Sequence, residues 1–292
     1  MLLPNFNYHK PKTLTEVYNL LDTHNNVGLM AGGTDLLVEM KMGRKLENVV
    51  SLNMVSELNE ISEDTDFVFI GPTVTFRQIQ DSPIIQKYIP HLIDTVSKIG
   101  SPQIRNTGTV GGNVCTCASC SDSAPTLIAY NSEVEISSST GIRRINLTDL
   151  QLFHRKTSIS KREVLSKIII PKPKPNFTAN FQKFGLRESA SISVGSVAVG
   201  LWIENSQIAD ANIVVGACAP TPIKCNSAMQ LIINAKLSDL QKDSILLNEI
   251  AEATASDTNP IDDIRGSADY RKDIIKTITK RAILNSINDF NQ

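Results

Sequence analysis

The chain has 292 residues, 41% hydrophobic and 20% charged, with 29 Lys plus Arg against 30 Asp plus Glu and a net charge of −1. That is the profile of a soluble globular protein long enough for two ordinary domains. It offers none of the clustered positive charge on which nucleic-acid binding rests. The opening MLLPNFNYHK lacks the apolar stretch of a signal peptide, and the longest apolar run, Ile192 to Ile203, is too short to span a bilayer. Three of the five cysteines crowd between Cys115 and Cys120, unlike a secreted disulfide framework. A cytoplasmic protein with no membrane span is expected.

In chain order, TLTEVYNLLDTH sets Leu14, Val17, Leu20 and Leu21 on one helical face, with Thr13 and Glu16 spaced as a capping box. A short strand GLMA, a Gly-Gly turn and a second apolar segment LENVVSLN follow. The strand FVFIGP leads to a helix over 75–81 and another over 91–99. Beyond the cysteines, SEVEISSSTGIRRINL predicts a hairpin about Thr140-Gly141, and EVLSKIIIP a strand ended by proline. The tract PKPKPN, Pro171 to Asn176, reads as a stiff extended connector, because each proline fixes φ and removes a donor. After it come consecutive strands with a polar turn at Glu204 to Gln207, hence antiparallel, and then helices, the last over 268–290. The pattern is an alternating α/β segment of about 170 residues followed by a smaller α+β domain.

Two segments carry the chemistry: LMAGGTDLL (Leu29 to Leu37) and TGTVGGN (Thr107 to Asn113). Paired glycines let the backbone reach positive φ and let a ligand approach the main chain, and successive N–H groups in such turns bind anions. Neither segment has Lys or Arg between its glycines, which suits a diphosphate held by amides and hydroxyls. The pattern is neither a P-loop nor GxGxxG. Asp122, nine residues past Asn113, reads either as a helix N-cap or as an acceptor for ribose hydroxyls or an adenine amine.

AGGTDLL, GSPQIRNTGTVGGN, SDSAPTL and RGSADYRKDIIKTITKRAI, in that order, resemble the FAD-binding subunit of the molybdenum hydroxylases. That family includes xanthine dehydrogenase, nicotinate dehydrogenase and aerobic carbon monoxide dehydrogenase. The resemblance implies an α+β fold: a two-subdomain FAD-binding domain of the vanillyl-alcohol oxidase (PCMH) type over 1–174, then a C-terminal domain of the CO dehydrogenase flavoprotein type over 175–292. It implies FAD gripped by Gly28, Leu29, Met30, Ala31, Gly32, Gly33, Thr34 and Asp35, then by Thr109, Val110, Gly111, Gly112, Asn113 and Asp122. Ile99, Leu165 and Lys183 are implied to approach the flavin. Implied partners are a molybdopterin-binding large subunit and a small subunit with two [2Fe-2S] clusters, with NAD+ as the commonest acceptor.

Cys115, Cys117 and Cys120 give C-x-C-x2-C, one ligand short of a closed metal site; small packing residues are the expected reading, and no metal site is expected. The four histidines are scattered, and no catalytic acid–base constellation is legible. The expected function is an FAD-binding electron-transfer subunit. The rivals are a carbon monoxide dehydrogenase-like subunit, a stand-alone flavin oxidoreductase, and an assembly protein that has lost its flavin, against which the intact glycines argue.

Overall fold

A computed structural model describes residues 3–187 and 190–291. The chain begins with β1 (Asn7–His9), α1 (Leu14–Thr23), β2 (Val27–Met30), α2 (Leu36–Lys41) and β3 (Asn48–Ser51), which form a parallel sheet of order β1-β3-β2. Helix α1 buries Val17 and Leu21 against Val50, Leu52 and Leu58, as its periodicity requires. Thr13 accepts from the Glu16 N–H at 3.2 Å, but the Glu16 carboxylate takes the Lys12 N–H, so only half of the expected capping box forms.

The second subdomain holds β4 (Ile61–Glu63), β5 (Phe67–Ile70), α3 (Phe76–Asp81), α4 (Pro83–Tyr88), α5 (Pro90–Ser97), α6 (Pro102–Arg105), α7 (Val110–Thr116) and α8 (Ser123–Ala129). It continues through β6 (Glu133–Ser138), β7 (Gly141–Asn146), α9 (Leu147–Leu150), β8 (Gln151–Phe153), β9 (Lys156–Thr157) and β10 (Val164–Pro171). Strands β4-β5-β10-β6-β7 form one antiparallel sheet. The alternation of helix and strand signals therefore does not build a single doubly wound sheet: after three parallel strands, neighbouring strands run antiparallel, β4-β5 and β6-β7 as hairpins. Ser138 pairs with Gly141, which places the hairpin turn at Ser139-Thr140, one residue before the expected position. Strand β10 is central and almost wholly buried, and its last residue, Pro171, needs no ladder donor at a strand end.

Past Lys172–Asn176 come β11 (Phe177–Gly185), β12 (Ser193–Glu204), β13 (Gln207–Gly216) and β14 (Ile223–Lys224), an antiparallel sheet in sequence order. Helices α10 (Asn226–Ile232), α11 (Ile245–Ser256) and α12 (Ala268–Phe290) follow. Alternate residues of β12 point to opposite faces. Val197, Val199 and Leu201 pack on Ile275, Ile278 and Ile283 of α12, while Ala198, with Ala179, Phe181 and Val214, joins the apolar cluster of α5 and α8. The sheet is thus buried on both sides, shared between its own helices and the preceding domain. Among the described residues no helix is long and apolar enough to cross a membrane.

Candidate functional site

The first glycine segment behaves as its composition suggests. Strand β2 ends at Met30, the chain turns through Ala31–Asp35 with Gly33 at φ +72°, and α2 begins at Leu36. The turn's carbonyls serve the helix: Leu37 N–H donates to Gly33 and Glu39 N–H to Asp35. The N–H groups of Ala31, Gly32, Gly33, Thr34 and Asp35 find no acceptor among the described residues. Five successive donors without partners, all on residues lining one cleft, make an anion-binding row.

The second segment is not a loop. Thr109 caps α7, accepting from the Gly112 N–H at 3.0 Å, so both glycines lie inside a helix. A strong N-cap outweighs the weak helix propensity of two glycines over so short a span. Its donors are already used: Val110 N–H goes to Val74 O, Gly111 N–H to Pro72 O and Asn113 N–H to Thr109 O. Val110 is fully buried in the core. Here the expected grip by two rows of amides becomes a division of labour, because the second segment supplies shape. A Cβ on Gly32 would lie 1.9 Å from Thr107 O, so the two segments are pressed together. A Cβ on Gly111 would strike Pro72 at 2.3 Å, whereas one on Gly112 would meet only the Thr109 hydroxyl and otherwise open cleft.

Between the segments lies a cleft of about 740 Å³, which Ile99, Thr109, Gly112 and Asn113 line with the first segment. A second compartment of about 320 Å³ shares Leu29, Ala31, Arg44, Gly112 and Cys115 with it. Gly28, Gly111, Ile159, Val164 and Leu165 line one part of this smaller space, and Thr157, Ser160, Lys161 and Glu163 another. An anion-binding backbone beside a slot of mixed apolar and polar lining suits a nucleotide-type cofactor with a flat, polar-edged ring.

Residues 4–173 match the family model described as the FAD binding domain in molybdopterin dehydrogenase, and residues 180–286 the CO dehydrogenase flavoprotein C-terminal domain. The chain belongs to the FAD-binding subunits of the molybdenum hydroxylases. It is 32% identical to the xanthine dehydrogenase FAD-binding subunit of Escherichia coli O157:H7 over 96% of this chain and 95% of the relative. It is 31% identical to the nicotine 6-hydroxylase medium subunit of Paenarthrobacter nicotinovorans over 97% of this chain and 98% of the relative. A solved carbon monoxide dehydrogenase chain from Hydrogenophaga pseudoflava superposes with a TM-score of 0.93 at 26% identity, over 99% of both chains. The α+β architecture is accordingly the family's two-subdomain flavin domain followed by its C-terminal domain, and the chain is an oxidoreductase subunit.

Three of the expected flavin-site residues line neither compartment: Val110, buried in the core, and the pair Asp122 and Lys183. Asp122 precedes α8 but does not cap it. One of its oxygens accepts from the Lys183 ammonium at 2.7 Å and the other from the Ser193 hydroxyl at 2.5 Å. The Asp122 and Lys183 side chains are 5% and 9% exposed, so this is a buried ion pair tying α8 to β11 and β12. Lys183 also donates to Lys98 O and lines a separate depression of about 440 Å³ with Lys98 and Arg187. Burial pulls the Lys98 ammonium below the usual lysine range.

Burial favours the neutral form of all three clustered thiols. Burial pushes the Cys115 thiol, which lines both compartments, up to about 12, and raises Cys117 and Cys120 as well. Neutral thiols are poor ligands and nucleophiles. Cys117 closes α7 in the left-handed region at φ +50°, and its Sγ–H donates to Phe153 O. Sequence reasoning passed over three charged residues on the cleft: Glu39, Arg44 and Arg155. Arg155 reaches the site from the β8–β9 turn, and no local pattern announces it.

Proposed function

We propose that this chain binds FAD non-covalently in the cleft and is the flavoprotein component of a molybdopterin-dependent hydroxylase. The observation that carries the reading is the row of unpartnered N–H groups over 31–35, pressed against a second glycine segment that presents no side chain at 112. The residues present fit the cofactor. The N–H row suits its diphosphate, and Ile159, Val164 and Leu165 offer apolar surface to a ring. When bound, FAD supplies the redox chemistry; the chain's residues bind, orient and exclude water. Gly28 to Asp35, Thr109, Gly111 to Asn113, Ile99 and Leu165 form the pocket, Val110 fixes its floor, and the Asp122–Lys183 pair locks the neighbouring wall.

The proposed complex comprises a molybdopterin large subunit, which oxidises the substrate, and a small subunit with two [2Fe-2S] clusters, which relays the electrons. The acceptor is NAD+. The resemblance to a xanthine dehydrogenase subunit along nearly the whole chain supports an N-heterocycle as substrate. Residues 1–174 and 175–292 are the proposed division of labour between cofactor domain and C-terminal domain. The purified chain should be yellow, and acid precipitation should release the colour into the supernatant. Colour held in the pellet would indicate a covalent link, with Cys115 the thiol on the cleft. A colourless chain that takes up no added FAD would overturn the reading. Co-purification should bring molybdenum and iron with the yellow chain, and hydroxylation by the isolated chain would show a stand-alone enzyme.

A further inference from the structure

Two arginines meet over the cleft on a single carboxylate. Glu39, on α2, receives Arg44 from the segment just after that helix and Arg155 from the β8–β9 turn, 116 positions away in sequence. Each guanidinium uses a different Glu39 oxygen through one end nitrogen. A guanidinium carries five N–H donors, so most of each fork has no side-chain acceptor among the described residues. All three side chains line the same compartment as the N–H row of Ala31–Asp35, and Arg44 also lines the smaller one. The arginines are about half exposed, at 48% and 47%, whereas Glu39 is 22% exposed. Asp35, exposed like the arginines, lines the same compartment, whose charged side chains are thus two guanidinium groups and two carboxylates.

What the arginines add to the compartment is their unused N–H donors, which line it together with the donors of the first glycine segment. Arg155 is held in place by its backbone as well: it sits at φ +57°, and its N–H donates to Cys117 O at 2.8 Å. The α7 C-terminus therefore sets where this cation stands. We propose that Arg44 and Arg155 are diphosphate-binding residues of the FAD cleft, and that Glu39 is the positioning residue that keeps both forks aimed across it. The absence of basic residues within the glycine segments is then made good from two other parts of the chain. Planar forks match phosphate oxygens in pairs.

This assignment rests on the FAD reading, and binding to the full-length chain tests the two separately. Flavin fluorescence is titrated with FAD and with riboflavin, which has no phosphate, at low and high salt. Arg44→Gln and Arg155→Gln should each weaken FAD binding roughly ten-fold at low salt and leave riboflavin binding unchanged. The FAD advantage of the wild type should shrink as salt rises. Arg155→Lys should restore part of the affinity, and Glu39→Gln should cost a few-fold with the salt dependence retained. Melting of the cofactor-free variants should match the wild type, since all three groups reach solvent. If the wild type binds FAD and both arginine variants match it, or lose FAD and riboflavin alike, the assignment is wrong. If the wild type binds no FAD, the cofactor reading fails and the assignment falls with it.

Discussion

The two glycine segments share a composition and do different work. Ala31–Asp35 is a true turn whose amides stay free, while Thr109–Asn113 is the first turn of a helix whose amides are already engaged by Pro72, Val74 and Thr109. The difference lies in what flanks them. The first segment follows a strand at the edge of a three-stranded sheet and opens a helix without a side-chain cap. The second has a threonine cap, and the Pro72–Val74 backbone lies alongside to take its donors. Paired glycines thus mark close approach in both places: Gly32 lets its turn press on Thr107 and Gly111 makes room for Pro72, while Gly112 leaves the cleft open.

Mutation can separate these roles. The largest effect is expected behind the second segment. Asp122→Ala would leave the Lys183 ammonium buried without its partner, a loss of about 3–5 kcal/mol, seen as a much lower denaturation midpoint whether or not FAD is present. An unchanged midpoint would mean that the pair is not what joins α8 to the C-terminal sheet. Next, Gly32→Val should destabilise the cofactor-free chain by about 1–3 kcal/mol, because its Cβ would meet the Thr107 carbonyl rather than a ligand. A variant that melts normally and only loses FAD would assign Gly32 to the ligand instead.

Gly112→Ala sharpens the contrast from the other side. Alanine favours a helix by up to about 1 kcal/mol over glycine, offset by a 2.8 Å approach to the Thr109 hydroxyl. Melting without FAD should shift little, while FAD affinity falls several-fold by titration. Equal affinity would show that α7 does not form a wall of the occupied cleft.

The smallest effect concerns the cleft wall that neither glycine segment builds. Glu163 lines the smaller compartment, and the Arg143 guanidinium, bonded to it at 2.8 Å, holds its carboxyl at about 2 against an ordinary 4.5. A depressed carboxylate contributes stability that is full above its unfolded value and is lost as the pH falls towards the folded one. Acid titration should therefore show a modest loss between about pH 4.5 and 2, and Arg143→Gln should remove it. If the variant and the wild type follow the same curve, the pair is solvent-screened and idle.

Much of this was legible in the chain because local patterns and global packing agree. The run VLSKIII became a central buried strand, and the 3.6-residue spacing of isoleucines over 274–287 became α12. What escaped depends on distance or on a competing local signal. Two glycines concealed α7, since the threonine cap has glycine rather than glutamate three residues on. Arg155 and Glu39 meet only because the β8–β9 turn folds back over α2. Asp122 fits both a cap and a ligand acceptor in sequence, and only the approach of Lys183 and Ser193 from the next domain shows what its oxygens bond.

The double burial of the C-terminal sheet has a consequence for how the protein is made. A ribosome releases the segment up to Pro171 while the strands that cover α5 and α8 are still being synthesised. Roughly 45 further residues, to Gly216, must follow at about 5–20 per second, so for several seconds the nascent cofactor domain shows a greasy flank where Ala179, Phe181, Ala198 and Val214 belong. A gene broken at the proline tract would make that exposure permanent.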